Sequence, residues 1–84
     1  MVTLLPMESN MISAAGYDPE QRYLLVLFNT GKAYEYYEVP PDEYEGLLVA
    51  ESKGEYMREH ILDQYPTAPF RGWNKQPPYL SKRE

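Results

Sequence analysis

One segment near the middle of the chain restricts the fold more than any other. Residues 22–28, RYLLVLF, are seven consecutive residues of mostly aliphatic and aromatic character, which is typical of a β-strand. Residues 18–21, DPEQ, predict a type I turn before this strand, and residues 29–31, NTG, predict a hairpin turn after it. Because turns this short join antiparallel neighbours, we expect one strand on each side of residues 22–28.

The flanking segments fit these two neighbouring strands. Residues 9–17, SNMISAAGY, predict the first strand, and residues 32–39, KAYEYYEV, predict the third. The result is a three-stranded antiparallel meander.

Two helices are predicted after the strands. Residues 40–43, PPDE, favour a helix start, because proline at the first helical position loses no hydrogen bond and acidic side chains suit the positive end of the helix dipole. This helix is expected to continue to about residue 51. Residues 52–55, SKGE, match a capping box, so a second helix is predicted to begin at Lys53 and to end before Pro66.

This order of elements predicts an α+β fold, in which the two short helices pack on one face of the three-stranded sheet. We assign residues 8–66 to a single domain and residues 67–84 to an irregular tail that is rich in proline, aromatic and basic residues. A chain of 84 residues leaves little core for an internal catalytic pocket. The chain has no cysteine, which excludes disulfides, thiol catalysis and thiolate metal sites.

Neither a signal peptide nor a membrane span is expected, since the apolar runs are short and the first residues lack a basic start. We therefore expect a cytoplasmic protein that does not bind membranes. Residues 1–70 contain 4 basic and 12 acidic side chains, a net charge of −8, whereas residues 71–84 contain 4 basic and 1 acidic, a net charge of +3. Nucleic acid is thus a possible partner only through the tail.

The second face of the sheet is unusual. Side chains alternate along a strand, so Leu24 and Val26 point to one side while Leu25 and Leu27 point to the other, and both sides are apolar. Helices on one face leave the second face in need of a cover, unless this alternation is a chance feature of one strand. The tail, a second copy of the chain or another protein could supply that cover. The candidate partner-binding residues are Tyr23, Leu25, Leu27, Tyr37, Phe70, Arg71 and Trp73.

Candidate catalytic groups are few. His60 is the only imidazole, and neither Ser9 nor Ser52 stands in a nucleophile motif. We expect no enzyme activity, no cofactor and no metal site. Residues 52–54, SKG, open a helix, so an anion site is an alternative to the capping box there.

Several spaced residues together resemble one known family. The most characteristic of them are Ser9, Tyr17, Ser52, Lys53, Gly54 and Tyr56. This combination is similar to the KTSC domain, and the resemblance covers residues 9–65. It implies a small module found alone in bacteria and phages, and also at the C-terminus of some lysyl-tRNA synthetases, with no established activity.

Two functions remain open from the sequence. The first is a small non-catalytic module that interacts with another protein or with a second copy of itself. The second is an accessory RNA-binding module of the kind that the synthetase fusions suggest. Nucleic-acid binding weakens steeply with added salt whereas an apolar protein contact does not, so salt dependence separates the two.

Overall fold

A computed structural model of the chain describes residues 2–70. Within that range an antiparallel sheet of five strands has the same spatial order as the sequence. The strands are β1 (Leu5–Pro6), β2 (Ile12–Asp18), β3 (Tyr23–Phe28), β4 (Ala33–Tyr36) and β5 (Thr67–Pro69). Between β4 and β5 lie α1 (Pro41–Val49) and α2 (Lys53–Tyr56), and α2 continues directly into a π-helical segment (Met57–Ile61).

The predicted α+β class, the antiparallel sheet and the two short helices are confirmed, but the number of strands is wrong. β1 pairs with β2, and β5 pairs with β4, so two more strands extend the predicted meander at its two edges. Both are only two or three residues long and contain a proline, which sheets accept at their edges. Strands this short show no alternation, so the sequence pattern could not reveal them. β5 also lies inside the segment that we assigned to an irregular tail.

Both helices end earlier than predicted. The first ends at Val49 rather than near residue 51, and the second ends at Ile61 rather than close to Pro66. Asp63 has a φ of 65°, in the left-handed region, so the chain turns away from the helix there. The second helix does begin at Lys53, as the capping box predicts.

The main core lies between the sheet and the helices. Leu24 and Val26 of β3 contribute to it from the sheet, and Leu47, Met57 and Ile61 contribute from the helical layer. All five side chains are fully buried. Leu24 and Val26 therefore share the face that the helices cover, and Leu25 and Leu27 lie on the other face, as the alternation along β3 predicts.

The second sheet face is also covered, by a segment to which we assigned no role. Leu25 and Leu27 are only 3% and 5% exposed. Leu4, in the N-terminal segment, is buried in the same cluster, and Val2 and Phe70 pack against that cluster. We predicted a cover from the tail, a second copy or another protein; among residues 2–70 the cover is the N-terminal segment together with Phe70.

A glycine allows the N-terminal segment to lie this close to β2. A Cβ atom on Gly16 would stand 2.4 Å from Val2 Cγ1 and 2.5 Å from the backbone oxygen of Thr3. Both distances are far inside van der Waals contact, and a backbone oxygen cannot rotate away. Gly16 is thus required by the close approach of the segment that covers the second face.

The helices within residues 2–70 are too short to cross a membrane.

Candidate functional site

The loop before β2 is held in one conformation by Ser9. The Ser9 hydroxyl oxygen accepts hydrogen bonds from the backbone N–H groups of Met11 (3.0 Å) and Ile12 (3.2 Å). Asn29, in the hairpin turn after β3, ties the same loop to the sheet. Its side-chain amide donates to the Ser9 carbonyl at 3.1 Å, and its backbone N–H donates to the Met11 carbonyl at 2.9 Å.

The start of α2 is fixed by two neighbouring side chains. The Ser52 hydroxyl oxygen accepts the backbone N–H of Glu55 at 3.3 Å, which is the N-cap bond of the predicted capping box. The Lys53 ammonium group donates to three carbonyls at the C-terminal end of α1, where carbonyls lack helical partners. These acceptors are Leu47, Leu48 and Ala50, at 3.2, 3.0 and 3.1 Å.

A groove of about 660 Å³ lies between the Ser9 loop and the start of α2. We call it the motif groove, because Ser9 and residues 52–54 both line it. Ser9 and Ser52 lie on the same groove although 42 residues separate them in the sequence. Gly54 lies close to Met11 inside it, since a Cβ on Gly54 would stand 3.2 Å from Met11 Cβ and Sδ. The lining residues are Glu8, Ser9, Asn10, Met11, Glu51, Ser52, Lys53, Gly54, Glu55 and Arg58.

The rim of the motif groove is acidic. Glu8, Glu51 and Glu55 are all exposed there, against one exposed cation, Arg58. The second cation, Lys53, is engaged with the α1 carbonyls. A negative rim attracts cationic groups and repels phosphate. This arrangement disfavours the anion site that was the alternative reading of residues 52–54.

A smaller recess of about 390 Å³ adjoins the motif groove, and Asn10 and Met11 line both. Phe28 and Tyr34 form its aromatic wall, with ring centroids 5.9 Å apart and the rings edge to face. Lys32 stands on its rim. The two spaces together offer a polar, acidic part and an apolar, aromatic part.

The motif tyrosines Tyr17 and Tyr56 do not line the groove and instead connect elements of the scaffold. Tyr56 donates its hydroxyl to Glu43 of α1 at 2.8 Å, and a Cβ on Gly46 would stand only 2.0 Å from that hydroxyl. Burial, the hydrogen bond and the charge of Glu43 raise the pKa of Tyr56 to about 12, so Tyr56 is a neutral donor at neutral pH. Tyr17 donates to the carbonyl of Val39.

Known proteins resemble this chain in both sequence and fold. The model of the KTSC domain matches residues 8–65. The chain belongs to the KTSC domain family. A crystal structure of a KTSC domain protein from Yersinia pestis superposes with a TM-score of 0.82 at 27% identity, covering 84% of this chain and 100% of that one.

Two sequence relatives illustrate the range of the family. A protein of Tsukamurella paurometabola is 50% identical over 60 residues, which is 71% of this chain and 90% of that protein. A lysine–tRNA ligase of a Nostoc species is 39% identical over 62 residues, which is 74% of this chain but only 11% of the ligase. The KTSC domain thus occurs both as most of a small protein and as a small part of a large enzyme.

His60 in this KTSC domain lies away from the motif groove. Its ring stacks on Tyr56 with centroids 4.2 Å apart, and its Nδ1 lies 3.8 Å from Glu43 Oε1. Across residues 2–70, no three histidine or acidic side chains are grouped so that they could bind a metal ion.

The structure separates the predicted partner-binding residues. Leu25 and Leu27 are buried under the N-terminal segment, and Phe70, the residue after β5, packs against the same cluster. Tyr23 and Tyr37 both donate their hydroxyls to Glu35 at the margin of that face. The other two predicted partner-binding residues, Arg71 and Trp73, lie outside the described residues.

Sequence reasoning missed most of the motif groove. The lining residues that it did not single out include Met11, Glu51 and Arg58, and it also missed Asn29, which ties the Ser9 loop to the sheet. The groove is assembled from a loop before β2 and a helix start more than 40 residues later, so no local pattern marks it. The resemblance to the family was the one signal that connected Ser9 with residues 52–54.

Replacing Ser52 with alanine is expected to lower the free energy of unfolding by about 1 kcal/mol, because the Glu55 N–H loses its cap acceptor. Ser52→Asp keeps an acceptor oxygen and is expected to be nearly neutral. Thermal and urea unfolding of the two variants measure this difference. Equal stability of Ser52→Ala and the unaltered chain would show that the cap bond does not stabilise α2.

Proposed function

We propose that this KTSC domain is a non-catalytic protein-interaction module, and that the motif groove receives a segment of the partner that carries basic and aromatic side chains. The observation that supports this most is the pairing of an acidic groove with an aromatic recess through the shared residues Asn10 and Met11. An extended peptide presents side chains to two adjoining spaces of this kind, one for each type of side chain.

The engagement of the polar motif groups supports binding rather than catalysis. The hydroxyl oxygens of Ser9 and Ser52 accept backbone N–H groups, and the Lys53 ammonium is surrounded by three carbonyls. A nucleophile needs a neighbouring base and an orienting group. The single histidine of the chain lines neither space, so a general base of that type is absent from the groove.

The charge of the rim supports a cationic segment as the ligand. Three exposed carboxylates surround the groove, and residues 1–70 as a whole have a net charge of −8 from 4 basic and 12 acidic side chains. Such a field speeds the approach of a basic partner and disfavours an acidic one. The aromatic wall of Phe28 and Tyr34 adds an apolar contact for one side chain of the same segment.

Peptide selection on the intact chain tests this proposal. Random 12-residue peptides displayed on phage are panned against the full chain, and the affinity of enriched peptides is measured by fluorescence anisotropy. We expect enriched peptides to combine an aromatic residue with lysine or arginine. Their affinity should fall in the double variant Glu51→Lys/Glu55→Lys by about two- to fivefold for each ion pair removed.

A matched control reverses two exposed acids outside the groove. Glu20 lies in the turn between β2 and β3, and Glu45 lies on α1, and neither lines the groove or the recess. Glu20→Lys/Glu45→Lys changes the net charge by the same amount and should leave peptide affinity nearly intact. Enrichment of no peptide, or equal loss of affinity in both double variants, would overturn the proposed groove.

Accessory RNA binding is a second candidate, supported by the lysine–tRNA ligase among the relatives and by the basic residues at positions 71, 75, 82 and 83. If it is correct, the intact chain binds unmodified tRNA at low salt, and the log of the association constant falls steeply with log salt. Replacing the four basic residues with glutamine in the full chain should abolish that binding. Absence of tRNA binding by the intact chain at low salt would remove this candidate.

A further inference from the structure

We propose that the C-terminal segment of this chain, residues 71–84, binds in cis to the chain's own motif groove and the adjoining recess, where it competes with a partner segment. This inference rests on the proposed function and concerns the regulation of the same site.

The end of the described structure lies beside the recess. The backbone N–H of Phe70 donates to the carbonyl of Ala33 at 2.9 Å. Ala33 is the first residue of β4, and its two neighbours in the chain, Lys32 and Tyr34, both line the recess. Trp73 follows Phe70 by three residues, a span of at most about 11 Å. The segment therefore begins close enough for Trp73 to reach the aromatic wall.

The composition of the segment matches the two spaces. Residues 71–84 contain 4 basic and 1 acidic side chain, a net charge of +3, and they include the only tryptophan of the chain. The motif groove has three exposed carboxylates, and the recess has the rings of Phe28 and Tyr34. A segment of 14 residues spans up to about 50 Å when extended, which is long enough for its lysine and arginine residues to extend past the recess into the groove.

The other apolar surface of the fold is already filled. Leu4 is buried against Leu25 and Leu27, and Val2 and Phe70 complete the packing on that face. The recess lies on the opposite face, because Phe28 and Tyr34 pack against the core between the sheet and the helices. Phe28 and Tyr34 offer Trp73 an aromatic contact on that face, whereas the N-terminal segment already packs on the second face.

The fluorescence of Trp73 tests this directly in the full chain, since no other tryptophan contributes. We expect emission at short wavelength and protection from iodide quenching at low salt. In Glu51→Lys/Glu55→Lys the emission should shift to longer wavelength and quenching should increase, while Glu20→Lys/Glu45→Lys should behave like the unaltered chain. Raising the salt from 0.01 to 1 M shortens the Debye length from about 30 to about 3 Å and should also expose Trp73.

The second measurement is the affinity of the selected peptides, because the C-terminal segment and a peptide would compete for the same groove. The variant Trp73→Ala/Lys75→Gln is expected to bind the selected peptides about two- to fivefold more tightly for each tail contact removed, because the groove is no longer occupied in cis. Light scattering at several protein concentrations separates binding in cis from binding by a second copy. A mass that stays monomeric while Trp73 is protected supports the proposal.

Three outcomes would overturn it. Trp73 that is equally quenched in every variant shows that the segment does not occupy the groove, and Trp73 protection that appears only with dimer formation assigns the occupant to a second copy. Equal peptide affinity with and without the tail substitutions rules out competition but leaves the proposed function standing. Protection of Trp73 by the groove without binding of any selected peptide would instead support binding of the segment in cis and contradict the proposed function.

Discussion

Replacing Leu4 with alanine is expected to lower the free energy of unfolding by about 2–5 kcal/mol, the range for a fully buried leucine in a packed core. Leu4 is only 2% exposed and lies in one cluster with Ala14, Leu25 and Leu27. The variant loses the transfer free energy of the side chain and leaves a cavity on the second sheet face. Domains of this size are marginally stable, so this loss is a large part of the total.

The neighbouring residue is a matched control. Leu5 is 48% exposed, so Leu5→Ala removes the same side chain one position away with little loss of buried area. Leu5→Ala should lower the free energy of unfolding by no more than about 0.5 kcal/mol. Urea unfolding gives both values, and light scattering shows whether Leu4→Ala also promotes association through the uncovered face. Equal stability losses at the two positions would contradict an N-terminal cover.

Replacing Lys53 with methionine is expected to lower the free energy of unfolding by about 1.5–3 kcal/mol, the range for hydrogen bonds from a charged donor. The ammonium group joins the start of α2 to the last carbonyls of α1, and methionine keeps the length of the side chain without the charge. The loss should appear as a lower midpoint in urea with an unchanged slope.

Lys32→Met controls for the loss of a charge. Lys32 is exposed at the hairpin after β3, and the same substitution there should change stability by less than about 0.5 kcal/mol. A Lys53→Met variant as stable as Lys32→Met would show that the three carbonyl contacts contribute nothing. Lys53 would then be available for an anion, which was the alternative to the capping box.

The candidate site was predictable only in pieces. The capping box at residues 52–55 was recognisable because an N-cap bond depends on residues three apart. Ser9 entered through the family resemblance, without any local reason for its importance. The bonds that its hydroxyl oxygen accepts from Met11 and Ile12 are local, but the bond from the Asn29 amide to the Ser9 carbonyl joins two turns 20 residues apart. Contacts of that kind depend on sheet register, which the sequence pattern does not contain.

Short-range sequence patterns were enough to predict the antiparallel hairpins, the two helix starts and the two apolar faces of β3. Each of these depends on residues within a few positions of one another, where turn geometry, capping and alternation act directly. The edge strands, the cover of the second face and the motif groove depend instead on long-range contacts. In each case the partner is distant in the chain, and the choice among distant apolar segments depends on packing in three dimensions. Gly16 is an example, because the absence of a side chain there matters only once the N-terminal segment packs against it.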